Sequence, residues 1–444
     1  MKYIPISESK KEELLEYLGK KSLDDFFSHI PREFFKETSK NLEAPKSEFE
    51  IRRYFLELIG KENNFLPYKV FLGGNGHVHD IPSIIDPLVS RGEFLTAYTP
   101  YQPEVSQGTL QAIFEYQTMM AELTGTEVSN ASLYDGSTAT IEAILMACRI
   151  QKKYKVLVSK AFHKEYIETI DTYSQYGSYE YDFIEINDKG QINVNDLEKK
   201  LNDSISAIVV QSPNAYGIIE DLESLSKIIK SKKVFLIVSV LESISLGLLS
   251  PPGHYADIVC GEAQSFGIPL NFGGPWLGFI GTKKEFVRNL PGRLVGMGED
   301  KNHNRAFAIT LSAREQHIRR EKATSNICTN QNLMALRATI YLSIVGKYGL
   351  AEIAKRCAKL ARYAKQILKG EFEVKLAYPD SPFFNELAIK TRMPANVVFD
   401  RVMETYGIAI GSIVEENLIL SSFNETMKLP DIDLWKKALI VANK

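Results

Sequence analysis

Five short segments carry residues whose types and spacing suit chemistry. In GHVHD, His77 and His79 stand two apart before Asp80, a spacing that could bind a metal ion. No cysteine or carboxylate cluster lies nearby in sequence, apart from Asp86. The segment therefore reads as polar groups in a structured loop, with no metal. In YDGSTATIEAILMA, Asp135 and Gly136 feed Ser137 and Thr138 into a helix start. Free N–H groups, hydroxyls and the helix dipole there suit a phosphate, although Asp135 or Ser137 could equally be a plain helix cap. In TAYTPYQPE, Tyr98, Thr99, Tyr101 and Gln102 set hydroxyls and an amide on a proline-stiffened loop. Such groups orient a small polar substrate at low entropic cost, and they also pack under loops. REQHIRREKATSNICTNQ crowds arginine and lysine before a Thr-Ser-Asn turn, a place for an anion, an interface or a solvated helix end. AQSFGIPLNFGGP, residues 263–275, is the fifth.

The elements that position these segments follow from periodicity. From Tyr154 onward, strand-like runs (YKVLVS, YDFIEI, AIVVQS, VFLIVSV, DIVCGEA, LGFIGT) alternate with helix-like runs at Lys164–Tyr176, Asn195–Leu201 and Leu222–Lys230. That alternation predicts an α/β fold with a largely parallel sheet covered on both faces. Two helices precede it, Thr109–Leu123 closed by Gly125, and Gly136–Ile150. Residues 71–107 mix glycine, proline and aromatics without a lasting period, as functional or interface loops do. A long helical stretch, Gln331–Lys369, is interrupted near Gly346 and Gly349 and leads to a smaller strand-and-helix domain. The expected organisation is a helical segment over 1–70, a large domain over 71–330 that includes the 71–107 loop, and a linker helix with a small α/β domain over 331–444. In the first segment, Ser9 with Glu12 forms a capping box, Leu14, Leu15 and Leu18 a stripe, Gly19 a stop, and Ser22 caps a second helix.

Composition narrows the classes. The chain has 444 residues, 24% charged and 44% hydrophobic, with a formal net charge of -2, which gives no sign of nucleic acid or an anionic membrane as partner. Four scattered cysteines without a CxxC pair read as reduced thiols. The N-terminus lacks an apolar signal-peptide core and no apolar run is span-length, so the expected location is the cytoplasm.

In such a sheet, ligands sit past the carboxyl ends of the strands, where AQSFGIPLNFGGP falls. A Schiff-base enzyme needs a lysine amine there to hold pyridoxal phosphate. From Val234 to Thr282 there is no lysine; Lys283 and Lys284 follow at the far end of the next strand. The VFLIVSV strand offers Ser239, with Glu242 beyond it, where an acid facing the cofactor would be expected.

Together GGNGHVHDIP, LTAYTPYQPEVSQGTLQAIFEYQTMMAELTG, PNAYGIIEDL, GEAQSFGIPLNFGGPWLGF, PGRLVG and REQHIRREKATSNICTNQ resemble glycine dehydrogenase (decarboxylating), the P-protein of the glycine cleavage system, from about residue 65 onward. Length and the glutamine loop resemble the α subunit, or subunit 1, of its split two-chain form. The resemblance implies a fold-type I pyridoxal-phosphate transferase fold. It puts Gln264, Ser265 and Phe266 against a Lys-Thr-Phe sequence in subunit 2, so Gln264 replaces the lysine and the cofactor belongs to the partner. It implies an α2β2 heterotetramer that decarboxylates glycine and passes the aminomethyl group to the lipoyl arm of H-protein. On this reading Tyr98, Thr99, Tyr101 and Gln102 are lent to the partner's site, Gly136, Ser137 and Thr138 are a vestigial anion site, and this chain holds no cofactor. Two departures fit a released site: Lys164 where a proline is expected after His163, a position that often stacks on the cofactor ring, and Glu242 near where relatives carry an aspartate. The competing readings are a purely structural or regulatory scaffold, and a self-sufficient enzyme using Lys160 or Lys322.

Overall fold

The computed structural model describes residues 6–34, 43–62, 69–325, 327 and 331–444. The chain forms two compact units, 1–64 and 65–444. The first contains helices α1 (Glu8–Tyr17) and α2 (Glu48–Glu62). The second runs β1 (Lys69–Val70), α3 (Ile85–Val89), α4 (Gly92–Leu95), α5 (Gln107–Thr124), β2 (Val128–Ser129), α6 (Gly136–Gln151), β3 (Lys155–Ser159), α7 (Lys164–Gln175) and β4 (Glu180–Ile184). It continues with α8 (Val194–Lys200), β5 (Ile205–Gln211), α9 (Leu222–Lys230), β6 (Phe235–Val240), β7 (Ile258–Glu262), β8 (Gly278–Thr282), β9 (Leu294–Glu299), β10 (Arg305–Thr310) and α10 (Gln316–Arg319). The closing elements are α11 (Asn332–Leu368), β11 (Lys375–Leu376), β12 (Glu386–Lys390), α12 (Ala395–Tyr406), β13 (Ile408–Ala409), β14 (Ser412–Glu415), β15 (Leu418–Ser422) and α13 (Leu429–Ala442).

A seven-stranded sheet in the order β2-β8-β7-β6-β5-β3-β4 is the frame of the second unit. Strands β3 to β7 are mutually parallel, while β8 runs antiparallel between β7 and β2. Every residue of β5, β6 and β7 is buried, as a sheet covered on both faces requires. The four-stranded antiparallel sheet β11-β12-β15-β14 packs with α12, α13 and the second half of α11. Asp135 starts α6 by accepting the Thr138 N–H at 2.7 Å, and Gly125 closes α5 in the left-handed region. Helix α11 breaks at Gly346 (φ 59°, ψ 178°), one of the two glycines the sequence marks there.

Three local expectations change. Helix α1 is capped by Ser7, whose hydroxyl accepts the Lys10 N–H, and Ser9 is its second residue. Of the leucine stripe only Leu15 is buried. Ser22 and Asp25 do form a capping box, but on a 3-10 turn, Leu23–Phe27. The β9–β10 hairpin has no counterpart in the pattern reading, because burial there covers only part of each strand.

Candidate active-site cleft and its neighbouring loops

The carboxyl ends of the parallel strands open on a cleft of about 460 Å³ lined by Asn75, Tyr134, Asp135, Ser137, Glu165, Glu262 and Trp276, among others. Three of its lining residues are acids, and among the described residues no lysine or arginine lines it. The Gly136–Thr138 turn lies here, and its Gly136 and Thr138 N–H groups and its Ser137 hydroxyl are already engaged. Glu262, the last residue of β7, accepts the Gly136 N–H at 2.9 Å, the Leu277 N–H at 2.9 Å and the Gln264 N–H at 3.0 Å. Asp135 accepts the Thr138 N–H and the Ser137 hydroxyl, the latter at 2.8 Å. Two carboxylates of the chain thus take donors at the start of α6. Burial outweighs the three N–H donors and holds the Glu262 carboxyl up at about 7.

Gln264 is buried and fully satisfied. Its Oε1 accepts the His77 N–H at 3.0 Å, and its Nε2 donates to the carbonyls of His77 (3.1 Å) and Ile268 (2.6 Å). The amide ties the GHVHD loop to the turn after β7. The same loop covers His163. Gly74 (φ +93°) packs so closely that a Cβ there would lie 3.0 Å from the His163 Nε2. Burial lowers the His163 pKa, and its main-chain N–H is held by the Gln211 side chain at 2.8 Å.

The histidines of GHVHD find carboxylates from distant segments. His77 lies 3.0 Å from Glu386 and 3.5 Å from Glu242. His79 sits between Glu242 on Nε2 (3.0 Å) and Glu425 on Nδ1 (2.8 Å). Burial opposes charge on both rings, but the facing glutamates prevail and raise both pKa values. Asp86 instead pairs with Arg337 at 2.6 Å. Local spacing could not reveal this cluster, since its members lie up to 346 residues apart.

The TAYTPYQPE loop does not line the cleft. Tyr98 is 75% exposed and Tyr101 50%, Gln102 is exposed, and the Thr99 hydroxyl is buried without a hydrogen-bond partner. Leu95 and Val105 stand exposed beside them. Tyr101 is held from below. The buried Arg293 guanidinium donates to its hydroxyl at 3.1 Å and lies 5.4 Å from its ring centroid, with His317 edge-on. Arg293 in turn faces Glu315. The basic segment therefore divides: Arg314 is spent on the carbonyls of Leu290, Gly292 and Leu311, while Arg319 and Arg320 stay exposed. Asn326 and Cys328 of that segment lie outside the described residues. Lys160 pairs with Glu185, and neither it nor Lys322 lines the cleft.

A family model described as the glycine cleavage system P-protein matches residues 1–438. The chain belongs to the glycine cleavage system P-protein family. It is 44% identical to a probable glycine dehydrogenase (decarboxylating) subunit 1 of Koribacter versatilis, over 91% of this chain and 90% of that one. A relative of the same name from Staphylococcus carnosus is 42% identical over 98% and 96%. Among solved structures, a glycine decarboxylase (P-protein) in inhibitor-bound form superposes with a TM-score of 0.90 at 39% identity, covering 100% of both chains. Mouse CSAD in apo form, at 14% identity and a TM-score of 0.70, shares the fold. The P-protein family and its fold-type I architecture thus agree with the sequence reading. Among the described residues no helix is long and apolar enough to cross a membrane.

Proposed function

We propose that this chain is the α-type subunit of a two-chain glycine decarboxylase, that it carries no pyridoxal phosphate of its own, and that it completes the site of a partner subunit 2. The observation that carries this reading is the paired occupation of the cleft. Glu262 and Asp135 take two of the N–H groups that a phosphate at this helix start would use, those of Gly136 and Thr138, and the Gln264 amide is consumed by main-chain partners. An amide is no nucleophile, and the acid-lined cleft repels a phosphate dianion. The residues present therefore do not fit the cofactor. On this reading pyridoxal phosphate resides on the partner, where it supplies the electron sink for loss of CO2 from glycine.

This chain's part is positioning. Tyr98, Thr99, Tyr101 and Gln102 form the lent loop. The exposure of Tyr98 and Tyr101 beside Leu95 and Val105 supports a docked partner, because exposed aromatic and apolar side chains clustered on one loop suit an interface. Arg293 fixes the Tyr101 phenol, so the hydroxyl meets the partner preorganised. The assembly, an α2β2 heterotetramer in the cytoplasm, hands the aminomethyl group to the lipoyl arm of H-protein.

The test is an absorption spectrum and a glycine–bicarbonate exchange assay with added cofactor and H-protein, on this chain, subunit 2 and their mixture. No cofactor band from this chain, with exchange only in the mixture, is expected. Turnover by this chain alone would overturn the reading. Tyr98→Phe and Tyr101→Phe should assemble normally and lose activity. Near-normal turnover in both would leave a scaffold role only.

A further inference from the structure

We propose that His79, Cys357 and Glu425 form a buried site for a divalent metal ion of the zinc class. The three residues come from the loop after β1, the second half of α11 and the segment after β15. One donor atom from each, an imidazole nitrogen, a thiol sulfur and a carboxylate oxygen, all lie within 4.8 Å of one another. The Nδ1 of His79 is 2.8 Å from the Glu425 carboxylate, and the Cys357 Sγ is 3.4 Å from it. Sulfur, imidazole and carboxylate together suit zinc and its neighbours, and exclude magnesium and calcium, which take oxygen.

Two further features distinguish this cluster from a buried ion pair. The first is the other side of the imidazole. His79 Nε2 sits 3.0 Å from Glu242, a carboxylate that is itself 2% exposed and accepts the Ile244 N–H at 2.9 Å. A carboxylate on the far nitrogen of a ligating histidine fixes its tautomer and leaves Nδ1 free to bind metal. The second is Tyr341. It is fully buried, its hydroxyl has no hydrogen-bond partner among the described residues, and it lies in the field of His79, Glu425, Glu242 and Cys357. Hydrogen bonding within the cluster accounts for the first three residues and leaves this oxygen over. A tetrahedral ion with three protein ligands has a fourth position for a water molecule, which could in turn meet that hydroxyl.

The fold explains how the set converges. In a straight helix Tyr341 and Cys357 would stand about 24 Å apart. The helix breaks between them, at Gly346, and Cys357 and Tyr341 both come within the influence of His79 and Glu425. Binding displaces the proton shared by His79 and Glu425 and the thiol proton of Cys357, and both leave to solvent. The ion would then clamp the GHVHD loop to α11 and to the segment after β15. This site adds a ligand to a chain whose sequence suggests no metal.

The full chain is stripped with a chelator and titrated with Zn²⁺ and with Co²⁺. We expect stoichiometric uptake, a rise in Tm, and a near-ultraviolet thiolate-to-cobalt charge-transfer band. Cys357→Ser, nearly isosteric, should keep the Tm of the stripped protein and lose the band. Glu242→Gln should retain the band with affinity lowered about 10–100-fold. No uptake of either ion by the wild-type chain, or a cobalt spectrum without the thiolate band, would overturn the proposal. Because the wild-type titration decides the matter alone, a variant that fails to fold does not rescue it.

Discussion

Gln264 and His77 are joined by two hydrogen bonds between one side chain and one peptide unit: the amide oxygen accepts the His77 N–H, and the amide nitrogen donates to the His77 carbonyl. With its second donor on the Ile268 carbonyl, the glutamine satisfies three buried main-chain groups. Gln264→Ala strands all three, at about 1–3 kcal/mol each. Thermal or urea unfolding should show a large loss of stability. Gln264→Lys should be destabilised as well and should stay colourless with added pyridoxal phosphate, because the phosphate donors remain occupied. A stable, yellow Gln264→Lys protein would contradict both statements.

The same occupancy predicts silence toward anions. Titrating the wild-type chain with inorganic phosphate should leave its Tm unchanged beyond the ionic-strength effect of a chloride control. A saturable phosphate-specific rise would show that Ser137 and its neighbours still accept an anion.

Arg293 and Tyr101 should act as one unit in the assembled enzyme. If the guanidinium serves to aim the phenol, Arg293→Lys and Tyr101→Phe each lower turnover, and the double variant is little worse than the worse single one. Additive losses measured in the reconstituted complex would separate the two residues.

Glu142 gives a pH dependence with a definite sign. It is buried on α6 with one carboxylate oxygen unpartnered, and burial pushes its carboxyl up to about 7. The folded chain therefore keeps a proton up to about pH 7 that the unfolded chain releases near 4.5. Folding then binds more protons than unfolding across that interval, so stability falls as pH rises through it. Urea unfolding should show lower stability at pH 7.5 than at pH 5.5, with a smaller difference in Glu142→Gln. Glu220 and Glu262, raised to about 7 by burial, act in the same direction.

Strands β3 to β8 and most helices were legible because their apolar runs or helical periods report the faces they bury, whereas the half-exposed β9 and β10 carry no such signal. The stop at Gly125 and the break near Gly346 were legible because left-handed backbone calls for glycine. Gln264 drew notice only as an absence. Its three main-chain partners depend on how the 76–80 loop returns to the sheet. Glu242, Glu386, Glu425 and Cys357 carry no mark in sequence that they meet His77 and His79. Their convergence comes from sheet order and the bent helix, which local periodicity does not encode. The Arg293–Tyr101 contact stayed hidden for the same reason, the two residues being separated by 192 positions in sequence.

Glu262 caps the helix that a phosphate would cap, and the consequence is a ratchet. Installing a lysine at position 264 alone strands the His77 N–H, buries an ammonium and gains no cofactor. Removing Glu262 alone exposes the N–H groups of Gly136, Gln264 and Leu277 and gains no cofactor either. If the chain is the cofactor-free subunit proposed above, each step toward a cofactor-holding chain lowers stability before it can raise activity, and the energetics of its interior favour partnership.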